Sequence, residues 1–245
     1  MHQRVPLTTV KPSVCVPIVK EREEDILHRF LELLEADFTI IEWRIDFYEH
    51  KDKPEQILHV LNSMQDIADK PYTLIATIRT SEEGGNFTLS SAQYQMLIET
   101  LIYSGCVDYV DVEAYSKPTV YCNIQKQAID QGVELLASYH NFKEVPSNEL
   151  LQDVLQSLYK ANPSIIKLAC MPQSDGDILR LQEFIDTMPY LYENHLFIAI
   201  GMGEYGLITR TNPKLFHSCL TFGYWNETSA PGQVSAVELK EILFK

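Results

Sequence analysis

Eight short apolar runs, rich in β-branched residues, recur along the 245-residue chain and are separated by segments with helical spacing. The runs cover residues 13–19, 38–46, 72–79, 107–113, 133–140, 164–170, 195–202 and 218–223. Runs of this length suit strands that are buried on both faces of a parallel sheet. Because the alternation continues without a linker, it predicts one α/β domain over residues 1–245, a (β/α)8 TIM barrel, with residues 1–12 as an N-terminal extension.

Helical patterns lie between these runs, at residues 21–36, 90–105, 147–162, 175–188 and 235–244, and a weak one covers residues 201–217. A doubly wound open sheet is the competing fold. Such a sheet usually has fewer strands and a glycine-rich turn after its first strand. The segment "PIVKER" at residues 17–22 contains no glycine, which favours the barrel.

The charge and cysteine content limit the possible partners and the compartment. The formal net charge is −14, so nucleic acid and anionic membranes are excluded as partners that bind through a broad basic surface. The five cysteines have no CxxC or zinc spacing, and no signal peptide or membrane span is visible. We therefore expect a soluble cytoplasmic protein with reduced thiols and no metal.

A lysine interrupts the apolar run "SIIKLAC" at residues 164–170. Lys167 lies among Ile165, Ile166 and Leu168, where the pattern predicts burial. A buried lysine has to be paired, neutral or chemically active, because an isolated ammonium group is costly to remove from water. Lys167 is therefore the strongest single candidate for a catalytic residue.

Polar residues also end or follow most of the other predicted strands, where a barrel builds its active site. Alternation places Glu42 and Arg44 on the face opposite Trp43 and Ile45. The remaining candidates are Arg79, Glu83, His140, Arg210, Ser229 and Gln233. Taken singly, a strand-end arginine or glutamate more often forms a structural ion pair, and Glu113 is interpreted in this way. Met202 and Phe222 are included as residues of the pocket wall, with packing as their simplest role.

These residue types together favour imine chemistry. A desolvated or cation-crowded lysine loses its proton more easily and can attack a ketone. The resulting iminium acidifies the neighbouring C–H group, and His140 is suited to remove that proton near neutral pH. Glu83 could orient the imidazole. The arginines Arg44, Arg79 and Arg210 indicate an anionic, hydroxylated substrate.

Six segments also resemble one known family. They are "EWRID", "TIRTSEEGG", "SYHNF", "KLACMPQ", "GMGEYGLITR" and "TFGYWNETSAPGQ". Together and in this order, over roughly residues 13–240, they resemble type I 3-dehydroquinate dehydratase. Two departures from the family pattern fall at Ile200-Gly201 and at Thr209, which keeps a hydroxyl.

The resemblance implies an activity and a role for each matching residue. Lys167 would form the Schiff base, His140 would be the general acid and base, and Glu83 its partner. Arg210 would bind the substrate carboxylate. The other polar groups of the substrate would be held by Glu42, Arg44, Arg79, Ser229 and Gln233. The implied reaction is the dehydration of 3-dehydroquinate to 3-dehydroshikimate in the shikimate pathway, without cofactor, by a homodimer.

Two alternatives remain open from the sequence. A class I aldolase would also use a barrel lysine, but it would cleave C–C bonds and usually bind phosphate, and no glycine-rich phosphate loop stands out. A catalytically silent barrel that binds quinate-like ligands would need neither a nucleophile nor a base. Borohydride trapping distinguishes these possibilities, because only an enzyme that forms a Schiff base gains a covalent adduct with 3-dehydroquinate.

Overall fold

All eight predicted strands form in the computed structural model, which describes residues 3–192, 194–228 and 230–244. They are β1 (Ser13–Ile18), β2 (Ile40–Arg44), β3 (Thr73–Thr77), β4 (Tyr109–Glu113), β5 (Glu134–Asn141), β6 (Ile165–Cys170), β7 (Leu196–Gly201) and β8 (Leu220–Tyr224). A two-residue strand, β9 (Val234–Ser235), was not predicted. It pairs with β8 through Gly223 and Tyr224.

Helices separate successive strands, as the alternating pattern predicts. They are α1 (Glu23–Glu35), α2 (Pro54–Ile67), α3 (Ser91–Tyr103), α4 (Pro118–Gln131), α5 (Asn148–Tyr159), α6 (Asp175–Asp186), α7 (Met188–Leu191), α8 (Leu207–Thr211) and α9 (Ala236–Leu243). Short 3₁₀ turns cover Ile45–Phe47, Ser81–Glu83 and Pro213–Phe216. The weak helical pattern over residues 201–217 corresponds to the short helix α8 and the last of these turns. No helix in the described ranges is long and apolar enough to cross a membrane.

Local sequence explains where several helices begin and end. The Ser90 hydroxyl accepts from the Gln93 amide and the Gln93 side chain reaches back to the Ser90 amide, which forms a capping box at the start of α3. Helix α4 begins with Pro118, whose missing N–H costs nothing in the first turn, and ends at Gly132 with φ of 69°.

The chain divides into two compact units. Unit 1 contains the chain's first residues up to Pro6 and the segment Val16–Leu135. Unit 2 contains Leu7–Cys15 and the segment from Leu136 onward. The organisation of residues 1–245 as a single domain with a twelve-residue extension stays a prediction.

In unit 1, β3 lies between β2 and β4, and both ladders are parallel. Arg44 is in register with Thr77, and Thr77 with Asp111. Because side chains alternate along a strand, these three residues share one face of the ladder, and Glu42 lies on the same face two residues before Arg44. All five residues of each of the three strands are buried.

In unit 2, β6 lies between β5 and β7, again with parallel ladders. Ser138 is in register with Lys167, and His140 with Ala169. Strand β8 pairs in parallel with the first three residues of β1, from Ser13 to Cys15. Every ladder between the described strands is therefore parallel, which is typical of βαβ units and confirms the α/β class.

Candidate active site

Glu42 and Arg44 occupy the same face of β2, as alternation along the strand requires. Glu42 is 4% exposed and its Oε1 accepts a hydrogen bond from the Thr77 hydroxyl at 2.9 Å. Trp43 lies on the other face and is fully buried. Ile45 no longer belongs to the strand, because a 3₁₀ turn begins there.

Asp46 fixes the guanidinium of Arg44. Its Oδ1 accepts from Arg44 Nε at 2.8 Å and its Oδ2 accepts from Arg44 Nη2 at 2.9 Å. Sequence reasoning missed this residue, although it lies inside the quoted segment "EWRID". Glu42, Arg44 and Asp46 are spaced two residues apart, and that spacing was the signal that could have identified Asp46.

Arg79 follows β3 and contacts three carboxylates. Its Nη2 lies 2.7 Å from Asp111 Oδ2, and its Nη1 lies 3.1 Å from Glu113 Oε1 and 3.6 Å from Glu83 Oε2. Burial alone would lower the pKa of Arg79, but the charges of the three carboxylates raise it well above the usual value. Arg79 is therefore held as a cation. Asp111 is the second residue that sequence reasoning missed.

Glu113 has the structural surroundings that were expected of it. It is fully buried, and besides Arg79 it accepts hydrogen bonds from the Thr80 amide at 2.7 Å and the Thr80 hydroxyl at 2.6 Å. Its own amide donates to the Tyr94 hydroxyl at 3.1 Å. These contacts anchor the segment that follows β3.

Glu83 ends the 3₁₀ turn in that segment and is 2% exposed. The "GG" pair after it is needed for the turn. Gly84 has φ of 82°, and a Cβ on Gly85 would lie 2.0 Å from the Arg79 carbonyl oxygen. Burial, and then the charge of Glu113, raise the pKa of the Glu83 carboxyl to about 8, against the opposing effect of Arg79. Glu83 can therefore hold a proton near neutral pH.

Lys167 is buried in the middle of β6, as its sequence context predicts. It is 5% exposed, and its Nζ lies 4.5 Å from the centroid of the Phe222 ring. A ring face at this distance excludes water from one side of the amino group. Phe222 is 4% exposed, so the ring and the Lys167 amino group are buried together.

His140 lies near the end of β5, on the same face as Lys167. The register pairs Ser138 with Lys167, and His140 is two residues further along. Its ring is half-buried and stacks on Phe142, with centroids 6.4 Å apart and planes at 19°. Both side chains therefore project from one face of the β5–β6 ladder.

Arg210 is a buried cation in the short helix α8. It is 2% exposed, and its Nη1 and Nη2 each donate at 3.3 Å, to the carbonyl oxygens of Phe222 and Pro231. Among the described residues its Nε has no hydrogen-bond partner, and no carboxylate pairs with it. Burial lowers its pKa to about 10, which still leaves it charged at neutral pH. A buried cation of this kind can hold an anion.

The departures at Gly201 and Thr209 have a structural explanation. A Cβ on Gly201 would lie 2.6 Å from the Gly206 Cα, so glycine is needed for this close approach. The Thr209 hydroxyl accepts from the Gly201 amide at 2.9 Å and donates to the Gly206 carbonyl oxygen at 2.7 Å. The hydroxyl therefore attaches α8, and with it Arg210, to the end of β7.

The remaining candidates are distributed as follows. Met202 directly follows β7 and is 2% exposed. Gln233 is half-buried, and its Oε1 accepts from the Ala230 amide at 3.3 Å. Ser229 lies outside the described residues. Across the parts of the chain that are described, no group of three or more His, Cys, Asp or Glu residues is arranged to hold a metal ion.

The candidates form one set in each unit. Unit 1 contains Glu42, Arg44, Arg79 and Glu83, linked through Asp46, Asp111 and Glu113. Unit 2 contains His140, Lys167, Met202, Arg210, Phe222 and Gln233. The members of each set lie on, or close to, strands and short helices of their unit. That both sets act on one molecule stays a prediction at this point.

Comparisons with known proteins identify the family. A family model described as type I 3-dehydroquinase matches residues 14–245. The 3-dehydroquinate dehydratase of Clostridioides difficile strain 630 is 33% identical over 234 residues, which cover 95% of this chain and 91% of that protein. That of Bacillus licheniformis is also 33% identical, with the same shares covered.

Solved structures agree with the sequence relatives. The 3-dehydroquinate dehydratase from Geobacillus kaustophilus HTA426 superposes with a TM-score of 0.89 at 30% identity, over 96% of this chain and 90% of that one. The type I enzyme from Clostridium difficile has a TM-score of 0.89 at 31% identity, over 99% and 97%. These similarities confirm the predicted (β/α)8 barrel class. The chain is therefore a hydro-lyase and belongs to the type I 3-dehydroquinase family.

Proposed function

We propose that the enzyme eliminates water from 3-dehydroquinate through an imine on Lys167. The observation that carries this proposal is the burial of Lys167 against the Phe222 ring, on the ladder face that it shares with His140. The lysine amine attacks the ketone carbon, and the carbinolamine loses water to give the iminium. The iminium then withdraws electrons from the adjacent C–H bond.

A relative supports covalent chemistry in this family. The solved structure of the Clostridium difficile enzyme contains covalently modified comenic acid. We extend covalent catalysis to this chain because its lysine lies in a buried strand, where an ordinary surface role is excluded. The water lost on imine formation is returned when the product imine is hydrolysed, so the net reaction releases one water from the substrate.

His140 is the proposed general acid and base. Lys167 is occupied once the imine has formed, so a second titratable group has to move protons. His140 removes the proton next to the iminium carbon and returns it to the departing hydroxyl group. We propose that Glu83 fixes the orientation of the imidazole, a role that suits a buried carboxyl whose pKa is raised to about 8.

Arg210 is the proposed binding site for the substrate carboxylate. Its buried guanidinium has only carbonyl acceptors among the described residues, and an unpartnered Nε. A carboxylate can accept two parallel hydrogen bonds from such a group. We propose that Glu42, Arg44, Arg79, Ser229 and Gln233 hold the substrate's other polar groups, with Met202 and Phe222 as the apolar wall.

The biological setting is also part of the proposal. The enzyme would supply 3-dehydroshikimate to the shikimate pathway, act in the cytoplasm and work as a homodimer without cofactor. The family relation supports a small-molecule substrate, and a few local cations can hold its carboxylate in spite of the net charge of −14. They give no support for nucleic acid or membrane partners.

An absorbance assay tests the proposal, because the product contains a conjugated enone. We expect the wild-type enzyme to form it from 3-dehydroquinate. Lys167→Ala should fold but form none, and His140→Ala should be slower by about 100-fold or more. Lys126→Ala, a change on the exposed side of α4, is the matched control and should keep normal activity. Normal turnover by Lys167→Ala would contradict the proposed chemistry.

A further inference from the structure

We propose that Asp46 is a positioning residue that sets the orientation of Arg44 for substrate binding. The inference rests on the proposed function, in which Arg44 contacts the substrate. Asp46 is fully buried and accepts from two different nitrogens of the guanidinium, at 2.8 and 2.9 Å. A two-point contact fixes the rotation of a planar group as well as its place, whereas a single hydrogen bond would leave it free to turn.

The contact leaves one edge of the guanidinium available. Arg44 Nη1 has no hydrogen-bond partner in the part of the chain that is described. The Phe47 ring centroid lies 5.1 Å from the Arg44 Cζ and bounds the group on another side. Asp46 and Phe47 therefore determine where the remaining N–H groups of Arg44 point.

Asp46 also connects Arg44 to the segment that carries Glu83. Its Oδ1 lies 3.4 Å from the Arg79 amide nitrogen and its Oδ2 lies 3.2 Å from the Asn86 amide nitrogen, and both amides donate to it. Lys51 Nζ reinforces the connection by donating to the carbonyl oxygens of Asp46 at 2.9 Å and Asn86 at 3.1 Å. The Asp46 carboxylate thus accepts four hydrogen bonds and connects the end of β2 to the turn after β3.

The substitution Asp46→Asn tests the role with almost no change in size. One acceptor oxygen becomes an NH₂ group, which then faces an N–H donor and cannot bond to it. Because a small displacement of a binding group is costly, we expect KM for 3-dehydroquinate to rise by about 10- to 100-fold, with a smaller change in kcat. Glu32→Gln is the control, since it alters another arginine–carboxylate pair (Arg29 Nε to Glu32 Oε2, 2.8 Å) on α1 and should leave KM unchanged.

A double variant that carries both Asp46→Asn and Arg44→Met separates a positioning role of Asp46 from a purely structural one. If Asp46 acts through Arg44, the double variant should have the KM of Arg44→Met alone. Additive effects on KM, or an unchanged KM in D46N, would overturn the inference. If D46N fails to fold, Asp46→Glu replaces it as the test. This variant keeps the charge but displaces it by one methylene, so KM should also rise. An unchanged KM in this variant would overturn the inference. Failure of the proposed function is recognised separately, as absence of enone formation by the wild-type enzyme.

Discussion

At the scale of single residues, the site depends on charged groups that are removed from water. Arg79 is compensated by three carboxylates, whereas Arg210 has only carbonyl oxygens as partners among the described residues. A buried cation without a counter-ion can hold an anion, whereas Arg79 already lies among three carboxylates. The two arginines therefore have different electrostatic surroundings although both are almost fully buried.

The raised pKa of Glu83 predicts how the stability of the folded protein depends on pH. The folded protein keeps a proton on Glu83 up to about pH 8, whereas an ordinary glutamate has a pKa of 4.5. Between these values the folded state binds more protons than the unfolded state, so this residue's contribution to stability is lost as the pH rises through that window. Glutamine does not titrate. Glu83→Gln should therefore gain about 1 to 3 kcal/mol of stability relative to wild type between about pH 5 and 8.

Thermal unfolding of both proteins across this pH range measures the difference. Glu82→Gln is the control, because Glu82 lies in the same 3₁₀ turn but is exposed and pairs with Lys117. Its stability relative to wild type should not follow the same trend. If the Glu83→Gln difference stayed constant with pH, the raised pKa of Glu83 would be wrong.

At the scale of secondary-structure elements, a few side chains connect the segments that follow β5 and β6. Arg180 of α6 donates to the carbonyl oxygens of Val145 and Pro146, in the segment that follows His140. Gln173, in the segment that follows Lys167, donates to the Lys143 carbonyl oxygen at 3.1 Å. The segments after β5 and β6 are therefore attached to each other, next to the two proposed catalytic residues.

Thr209 attaches α8 to β7, and its removal should affect Arg210. Thr209→Val keeps the shape of the side chain but loses both hydrogen bonds of the hydroxyl, to the Gly201 amide and the Gly206 carbonyl oxygen. Because both partners are buried backbone groups, we expect a loss of about 1 to 3 kcal/mol in stability. KM should rise because Arg210 is the next residue. Thr209→Ser retains the hydroxyl and should stay near wild type in a combined denaturation and kinetic comparison. Equal behaviour of the valine and serine variants would contradict the role given to the hydroxyl.

Sequence patterns predicted the elements better than the contacts between them. Periodicity located all eight strands, because each is a buried run long enough to show a pattern. It could not show β9 or α7, which have two and four residues. Asp46 was missed although it continues the two-residue spacing of Glu42 and Arg44, and in the structure it lies in the turn that follows β2. The approach of Gly201 to Gly206 depends on backbone geometry, which no residue pattern encodes.

At the scale of the whole molecule, each of the two units has its own set of charged candidate residues. Unit 1 contributes the carboxylates Glu42, Asp46, Glu83, Asp111 and Glu113 around two arginines, and unit 2 contributes Lys167 and Arg210. The motifs along the chain predicted Glu42, Glu83, Lys167 and Arg210 but not Asp46 or Asp111, and only the structure showed how the members of each unit are linked.

The most direct test of the central claim is covalent trapping on the whole enzyme. Wild-type protein is incubated with 3-dehydroquinate and borohydride, and the modified peptide is identified by mass spectrometry. Reduction turns an imine into a stable secondary amine, so the label marks the nucleophile. We expect one adduct per chain, on Lys167, and none in Lys167→Ala. A label on another lysine, or turnover without any trapped adduct, would contradict the account.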